Sequence, residues 1–424
     1  MSGAPAPGEE PNGTLRSFVA RALIQPVQAF VATEASGGVV LLVATIAALV
    51  WANSPWGSQY TELWARHFSF EFARIALRMD LEQFVNDALM AVFFFVVGLE
   101  IKRELLSGEL ASPRKAMLPV AAAFGGMLVP ALIFTAWNFG GRGAHGWGIP
   151  MATDIAFALG VLALLGRRAT FPLKVFLLAL AIVDDLGAIL VIAVFYTDHI
   201  VLAAAGWAIV LAAAIVVLLL MGFRSKPVYL ILALLFWLAV YKSGIHATIA
   251  GVVLAALTPA GARRPRGDQG EPVEEVDSSL DRLERLLHPW VSYLIVPVFA
   301  LANAGLVLSS ELVRDASTSH ITLGIAMGLV VGKPVGVVLF SWLALRFGGA
   351  RLPDGMTTYQ LIGGGLLAGI GFTVSLFVTG LAFSDVQLTN DAKAGIFAAS
   401  LIAGVLGCAW ILMAPRMPRQ PEGE

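Results

Sequence analysis

Three observations predict an all-α protein that crosses a membrane about twelve times. Of the 424 residues, 58% are hydrophobic and only 13% charged, and a mean hydropathy of +0.80 describes a chain whose solvent is mostly lipid. The apolar residues fall into stretches of spanning length, since a hydrocarbon core ~30 Å thick takes about 20 residues of helix. The charges collect in the short breaks between those stretches. A net charge of −1 provides no basic field for nucleic acid, and that class is set aside. The single cysteine, Cys408, rules out an intrachain disulfide and leaves helix packing to hold the fold. No cofactor is expected.

Taken in order, residues 1–13 are polar and rich in Pro and Gly, which predicts a disordered tail and not a cleavable signal peptide. Residues 14–31 mix apolar positions with Arg16, Arg21 and Pro26 and suit a helix lying on the membrane. A single transmembrane domain over 14–414 then carries apolar stretches at 37–51, 83–101, 116–137, 148–165, 172–196, 200–221, 228–241, 244–258, 289–308, 321–345, 360–383 and 395–413. Residues 415–424 form a short tail. The external connection 53–79 places Trp56, Tyr60, Trp64 and Phe68 among polar residues, as a short hairpin or an interfacial helix, and either could serve a subunit contact in a homodimer. The internal loop 259–287 begins with a flexible ARRPRGDQGEP run and ends in a charged helical start, SSLDRLERLLHP. With both termini in the cytoplasm, 20 of the 28 Lys and Arg lie on that side against 7 outside, and Lys333 is left inside a span.

Four features fall near the centres of their spans. Asp184 and Asp185 sit in AIVDDLGAIL, midway along 172–197, and Lys333 is the midpoint of 321–345. A charge at the bilayer centre costs about 2.5–3.5 kcal/mol or more on insertion scales, so these groups require partners, water or a function. Lys333 is suited either to a role at the site or simply to neutralising a carboxylate or a helix end. The other two features are GIPMATDIAFALG (148–160), interrupted by Pro150, Thr153 and Asp154, and GGGLLAGIGFTVS (363–375), with Gly369 and Gly371 in the middle. Glycine this dense means close helix packing or an unwound backbone.

Each interrupted span is the middle member of a trio, 116–197 and 321–413, and the trios enter the membrane from opposite sides. This is the topology of an inverted repeat, which points to a transporter with its site at the midplane. Asp154 would then balance the positive half-helix ends and Lys333 the negative ones, while Asp184 and Asp185 bind the transported species. Burial and a like-charged neighbour both favour the protonated carboxyl, so such a pair holds a proton until a small hard cation offers compensating charge.

The motifs NDALMAVFFFVVGLEIKREL (86–105), ATDIAFALG (152–160), AIVDDLGAI (181–189), SGIHATIAG (243–251), LHPWVSYLIVPVFALANAG (287–305), VGKPVG (331–336) and AGIGFTVSLFV (368–378) resemble those of the bacterial NhaA-type sodium–proton antiporters, in the same order and over nearly the whole chain. The resemblance implies electrogenic exchange of cytoplasmic Na+ or Li+ for external protons across the bacterial inner membrane, switched on at alkaline pH. It implies that Asp185 is the core cation ligand and that Asp184 also binds and pairs with Lys333. Thr153 and Asp154 match the crossing of the extended chains. Glu100, Glu104 and Glu284 match acidic residues of the cytoplasmic funnel and pH response, and Asp87 matches a buried acid. One departure from the resemblance is Arg285, where some relatives carry a histidine that tunes the pH profile. His246 and His288 are read as packing or capping residues.

Two other classes compete. An intramembrane aspartyl protease needs two carboxyls sharing a proton, but side chains at i and i+1 diverge on a helix, so Asp184 and Asp185 alone are a poor dyad. A sodium-coupled solute symporter predicts Na+ uptake that depends on an organic solute.

Overall fold

The computed structural model describes residues 36–72, 75–197, 200–223, 225–260 and 278–413. The expected tail 1–13, the interfacial helix 14–31, most of the internal loop 259–287 and the tail 415–424 lie outside them. The described chain is a helical bundle with one small sheet. α1 (Ser36–Ala52) is followed, after a bend of 115°, by the short α2 (Gly57–Trp64). The connection then forms an antiparallel hairpin of β1 (His67–Phe72) and β2 (Ile75–Asp80), with His67 opposite Asp80 and Phe72 opposite Ile75. The segment that the sequence left as hairpin or helix is thus both. Tyr60 of α2 is pinned inward, its hydroxyl 2.8 Å from the Leu301 carbonyl and 3.1 Å from the Gly305 amide that donates to it.

Asp80 caps the next helix by accepting from the Gln83 amide at 2.6 Å. That helix, α3 (Leu81–Ser107), contains a π turn at Val85–Leu89. α4 (Pro113–Trp137) follows, then a 3₁₀ helix at Ala144–Met151, an extended stretch and α5 (Ile155–Leu164). α6 (Phe171–Phe195) is a single uninterrupted helix that carries both aspartates. α7 (Leu202–Leu220) packs with α8 (Lys226–Lys242), and only 11% of its apolar window is buried, so most of its surface is left to lipid. α9 (Ala247–Leu257) packs closely on α3: a Cβ at Gly251 would lie 2.1 Å from the Ala91 carbonyl oxygen. Lys102 of α3 donates to the Ala256 and Thr258 carbonyls at the end of α9, each at 2.6 Å, a cation on the negative end of a helix.

The second half opens with α10 (Ser279–Asn303), capped by Ser278, and the short α11 (Ser310–Thr318). α12 (His320–Phe347) contains a π turn at Gly328–Gly332 directly before Lys333. It lies against α4 with backbone almost touching backbone: a Cβ at Gly336 would stand 2.1 Å from the Gly125 carbonyl oxygen. α13 (Thr358–Ala368), opened by a capping box between Thr357 and Gln360, and α14 (Phe372–Ala382) form a second broken span bent by 41°. α15 (Val386–Met413) closes the described chain.

Among the described residues, length and apolarity establish eight helices able to cross a membrane, or up to ten if each bent pair is one span. The expected twelve also counts α8 and α9 as crossings. These two stand outside the eight by length, α8 with 17 residues and α9 with 11.

Candidate functional site

The centre of the bundle is built from the two broken spans, which meet α6 and α12 in a region almost without solvent. Thr153 is 1% exposed, Asp154 2%, Asp184 1%, Asp185 3% and Lys333 0%. The sequence forces the breaks locally. Pro150 and the three extended residues Ala152–Asp154 end the 3₁₀ helix before α5 begins, and Gly369 to Gly371 separate α13 from α14. Both glycines are closely approached: a Cβ at Gly369 would meet the Leu329 carbonyl oxygen at 2.5 Å, and one at Gly371 would have to displace the Ser375 hydroxyl, at 2.3 Å.

The freed backbone groups are satisfied across the crossing. The Asp154 amide donates to the Ile370 carbonyl at 2.7 Å, Thr153 Oγ1 donates to Ala368 at 3.0 Å, and Ser375 Oγ donates to Ile149 at 2.8 Å. Two helix N-termini, those of α5 and α14, point into the centre with their unpaired amides. One side chain serves both. Asp154 Oδ1 accepts from the Phe157 amide at 2.9 Å, while Oδ2 accepts from the Thr373 amide at 2.9 Å and the Thr373 hydroxyl at 2.5 Å. On the opposite polarity, Lys333 Nζ donates to the Met151 carbonyl at the end of the 3₁₀ helix. The same ammonium stands 2.7 Å from Asp184 Oδ2.

The two neighbouring aspartates therefore have different surroundings. Asp184 Oδ2 is engaged by Lys333, and Thr153 faces the same buried carboxylate. Asp185 lines a cavity of about 50 Å³ together with Thr153, Asp154, Thr373, Ser292, Glu100 and His288. Asp185, Thr153, Asp154, Thr373 and Ser292 bring hard oxygen donors to this otherwise largely apolar cavity, the chemistry that holds a small cation.

The acidic residues expected toward the cytoplasm lie close together. Arg103 bonds Glu284, whose residue is 3% exposed, and lies 3.5 Å from Glu104. Glu100 stands 3.7 Å from His288. His288, read from the sequence as a packing residue, borders the same cavity as Asp185. Asp87 is elsewhere, at the other end of α3, where its carbonyl accepts from Trp237 Nε1 at 3.2 Å. Sequence reasoning missed Thr373, which reads as an ordinary member of an apolar run. It also missed the Met151 carbonyl, which no sequence signal reveals.

The family model described as Na+/H+ antiporter 1 matches residues 28–411. This chain belongs to the Na+/H+ antiporter 1 family. It is 47% identical over 421 residues to a protein of Syntrophotalea carbinolica named Na(+)/H(+) antiporter NhaA 2, a match covering 91% of this chain and 95% of that one. It is also 47% identical over 386 residues to proteins named Na(+)/H(+) antiporter NhaA from Escherichia coli O139:H28 and Shigella dysenteriae serotype 1, covering 90% of this chain and 96% of each relative. As a member of the Na+/H+ antiporter 1 family the chain is a multi-pass membrane protein, and the matched span contains both broken helices, α6 and Lys333.

Proposed function

We propose that this protein is a sodium–proton antiporter that exchanges cytoplasmic Na+ or Li+ for external protons in a bacterial inner membrane. The observation that carries the reading is the unequal environment of two adjacent carboxylates. Asp184 is held by Lys333, and Asp185 faces a small cavity lined by residues of both broken spans. A carboxylate in such a place can hold a proton or a cation but not both, and competition for one site yields exchange. Asp185 is the principal cation ligand. Asp184 binds from the other side, its Oδ2 contested by the Lys333 ammonium, so that an arriving cation competes with that pair. Thr153, Asp154, Gly369 and Gly371 maintain the crossing that surrounds the ion. Glu100, Glu104 and Glu284 form the cytoplasmic approach and adjust activity to pH, with Arg103 and His288 among them.

In this reading the segments 116–197 and 321–413 are inverted repeats within one transmembrane domain, both termini are cytoplasmic, exchange is electrogenic, and the hairpin within 53–79 joins two copies into a dimer. The protein catalyses no covalent step. The Lys333 ammonium on Asp184 speaks against a shared-proton protease dyad.

The test follows a pH-sensitive dye in vesicles containing the protein while Na+, Li+ or K+ is added at several pH values. Na+ and Li+ should move protons without any organic solute, K+ should not, and Asp185→Asn should abolish the movement. Proton movement that requires a solute, or survives Asp185→Asn, overturns the reading.

A further inference from the structure

The 3₁₀ helix at Ala144–Met151 poses a problem of position. It contains Pro150, its hydrogen-bond geometry is poorer than that of an α-helix, and yet its last carbonyl must stand where Lys333 reaches it and Asp184 together. The other end of this segment is held by Tyr196, the residue directly after α6. The phenol oxygen accepts from the Gly148 amide at 3.1 Å and donates to the His145 carbonyl at 2.9 Å, and the residue is only 6% exposed. Glycine at 148 permits this approach, because a Cβ there would lie 2.7 Å from the phenol oxygen. The ring also meets the His145 ring edge-on at 5.1 Å and stacks on Trp147 at 6.5 Å.

We infer that Tyr196 is a positioning residue for the exchange centre: by clamping Gly148 and His145 to the outer end of the helix that carries Asp184 and Asp185, it sets where the Met151 carbonyl stands and so how the Lys333 ammonium is shared between that carbonyl and Asp184. The inference rests on the antiport reading. Gly148 and Met151 are one turn of 3₁₀ helix apart, so a displacement at the clamp is carried to the carbonyl. When the carbonyl withdraws, the ammonium settles more fully on Asp184, and a cation must displace a stronger pair to bind.

The experiment uses the full chain in vesicles, with Na+-driven proton movement read per amount of folded protein and thermal melting measured alongside. Tyr196→Phe keeps the ring and removes the oxygen. The half-saturating Na+ concentration should rise ~3- to 10-fold, the range that the net worth of one neutral hydrogen bond allows, while the maximal rate stays within about twofold. Gly148→Ala disturbs the same contact from the other side and should produce the same rise, and the double variant should be no worse than the larger single effect. Tyr359→Phe is the control for a merely structural loss. It removes a phenol bond of 2.9 Å to the Trp410 carbonyl, remote from the centre, and should lower melting without moving half-saturation. An unchanged half-saturation in Tyr196→Phe, an equal shift in Tyr359→Phe, or multiplying effects in the double variant overturns the inference. If Tyr196→Phe does not fold, Gly148→Ala decides on the same terms. Wild-type protein that moves no protons with Na+ overturns the antiport reading and this inference with it. Normal wild-type exchange with an unaffected Tyr196→Phe overturns this inference alone.

Discussion

Lys333 Nζ stands 2.7 Å from Asp184 Oδ2, and solvent reaches neither side chain. A buried pair of this kind contributes little net stability compared with well-packed apolar residues, because desolvation offsets most of the attraction. Removing one partner is another matter, since it leaves the other charge alone.

Lys333→Ala should therefore lower stability by about 3–5 kcal/mol, through the stranded Asp184 carboxyl and the Met151 carbonyl that loses its donor. Exchange should change with it, because the cation then has no ammonium to displace. Thermal melting in detergent and dye-monitored exchange check the two halves of this expectation. Unchanged melting and unchanged exchange would sink the pairing as a functional element.

Asp154→Ala removes acceptors from two helix ends at once, and a cap is typically worth ~1 kcal/mol at each. The loss in stability should reach about 2 kcal/mol or more, and exchange should fall steeply. Asp154→Asn keeps an oxygen for capping but not the negative charge between two positive helix ends. It should melt closer to wild type than Asp154→Ala does while still exchanging poorly. Equal melting of the two variants would count against the double cap.

Glycine substitutions should divide by location. Gly336→Ala drives a methyl into the Gly125 carbonyl oxygen and must separate α12 from α4, so the melting temperature should drop well beyond anything helix propensity restores. Gly206→Ala, exposed on α7 with no atom within 4 Å of its added Cβ, should be neutral or stabilising by up to ~1 kcal/mol. Similar melting of both variants would contradict the close approach of α12 and α4.

Asn86 and Asn303 exchange amide bonds between α3 and α10, at 3.3 Å in one direction and 2.8 Å in the other. A double-mutant cycle with alanine at both positions should return a coupling of about 1 kcal/mol by denaturation, and additive single effects would show that the two amides act independently.

The sequence made the charged centre legible because the cost of burying charge in lipid is large and local. Asp184, Asp185 and Lys333 stand out against apolar neighbours, and averaging each span puts them at one depth. Pro150 and the glycines around Gly369 likewise mark the breaks, since proline and clustered glycine act on the backbone wherever they occur. What remained hidden depends on distant contacts. Thr373 meets Asp154 across 219 residues of sequence, and nothing in FTVS distinguishes a helix start that needs an anion from one that does not. The 3₁₀ winding at Ala144–Met151 and the π turns at Val85–Leu89 and Gly328–Gly332 are likewise answers to tertiary packing. Periodicity measures apolarity and not where a helix stops: α9 ends at Leu257 under two bonds from Lys102, a residue on another helix. His288 was set aside because a lone histidine in an apolar segment has no visible partner until Glu100 is brought within 3.7 Å of it.

The carboxylate of Asp154 ties α5 to α14, two stretches of chain that begin more than two hundred residues apart. It works as a rivet between the halves of the molecule. With the Ile370 and Ala368 carbonyls fastened to the same loop, neither broken helix can tilt or slide without dragging the other. Any change of access at the centre must then carry the crossing as one stiff body, and the bending has to occur in the helices around it.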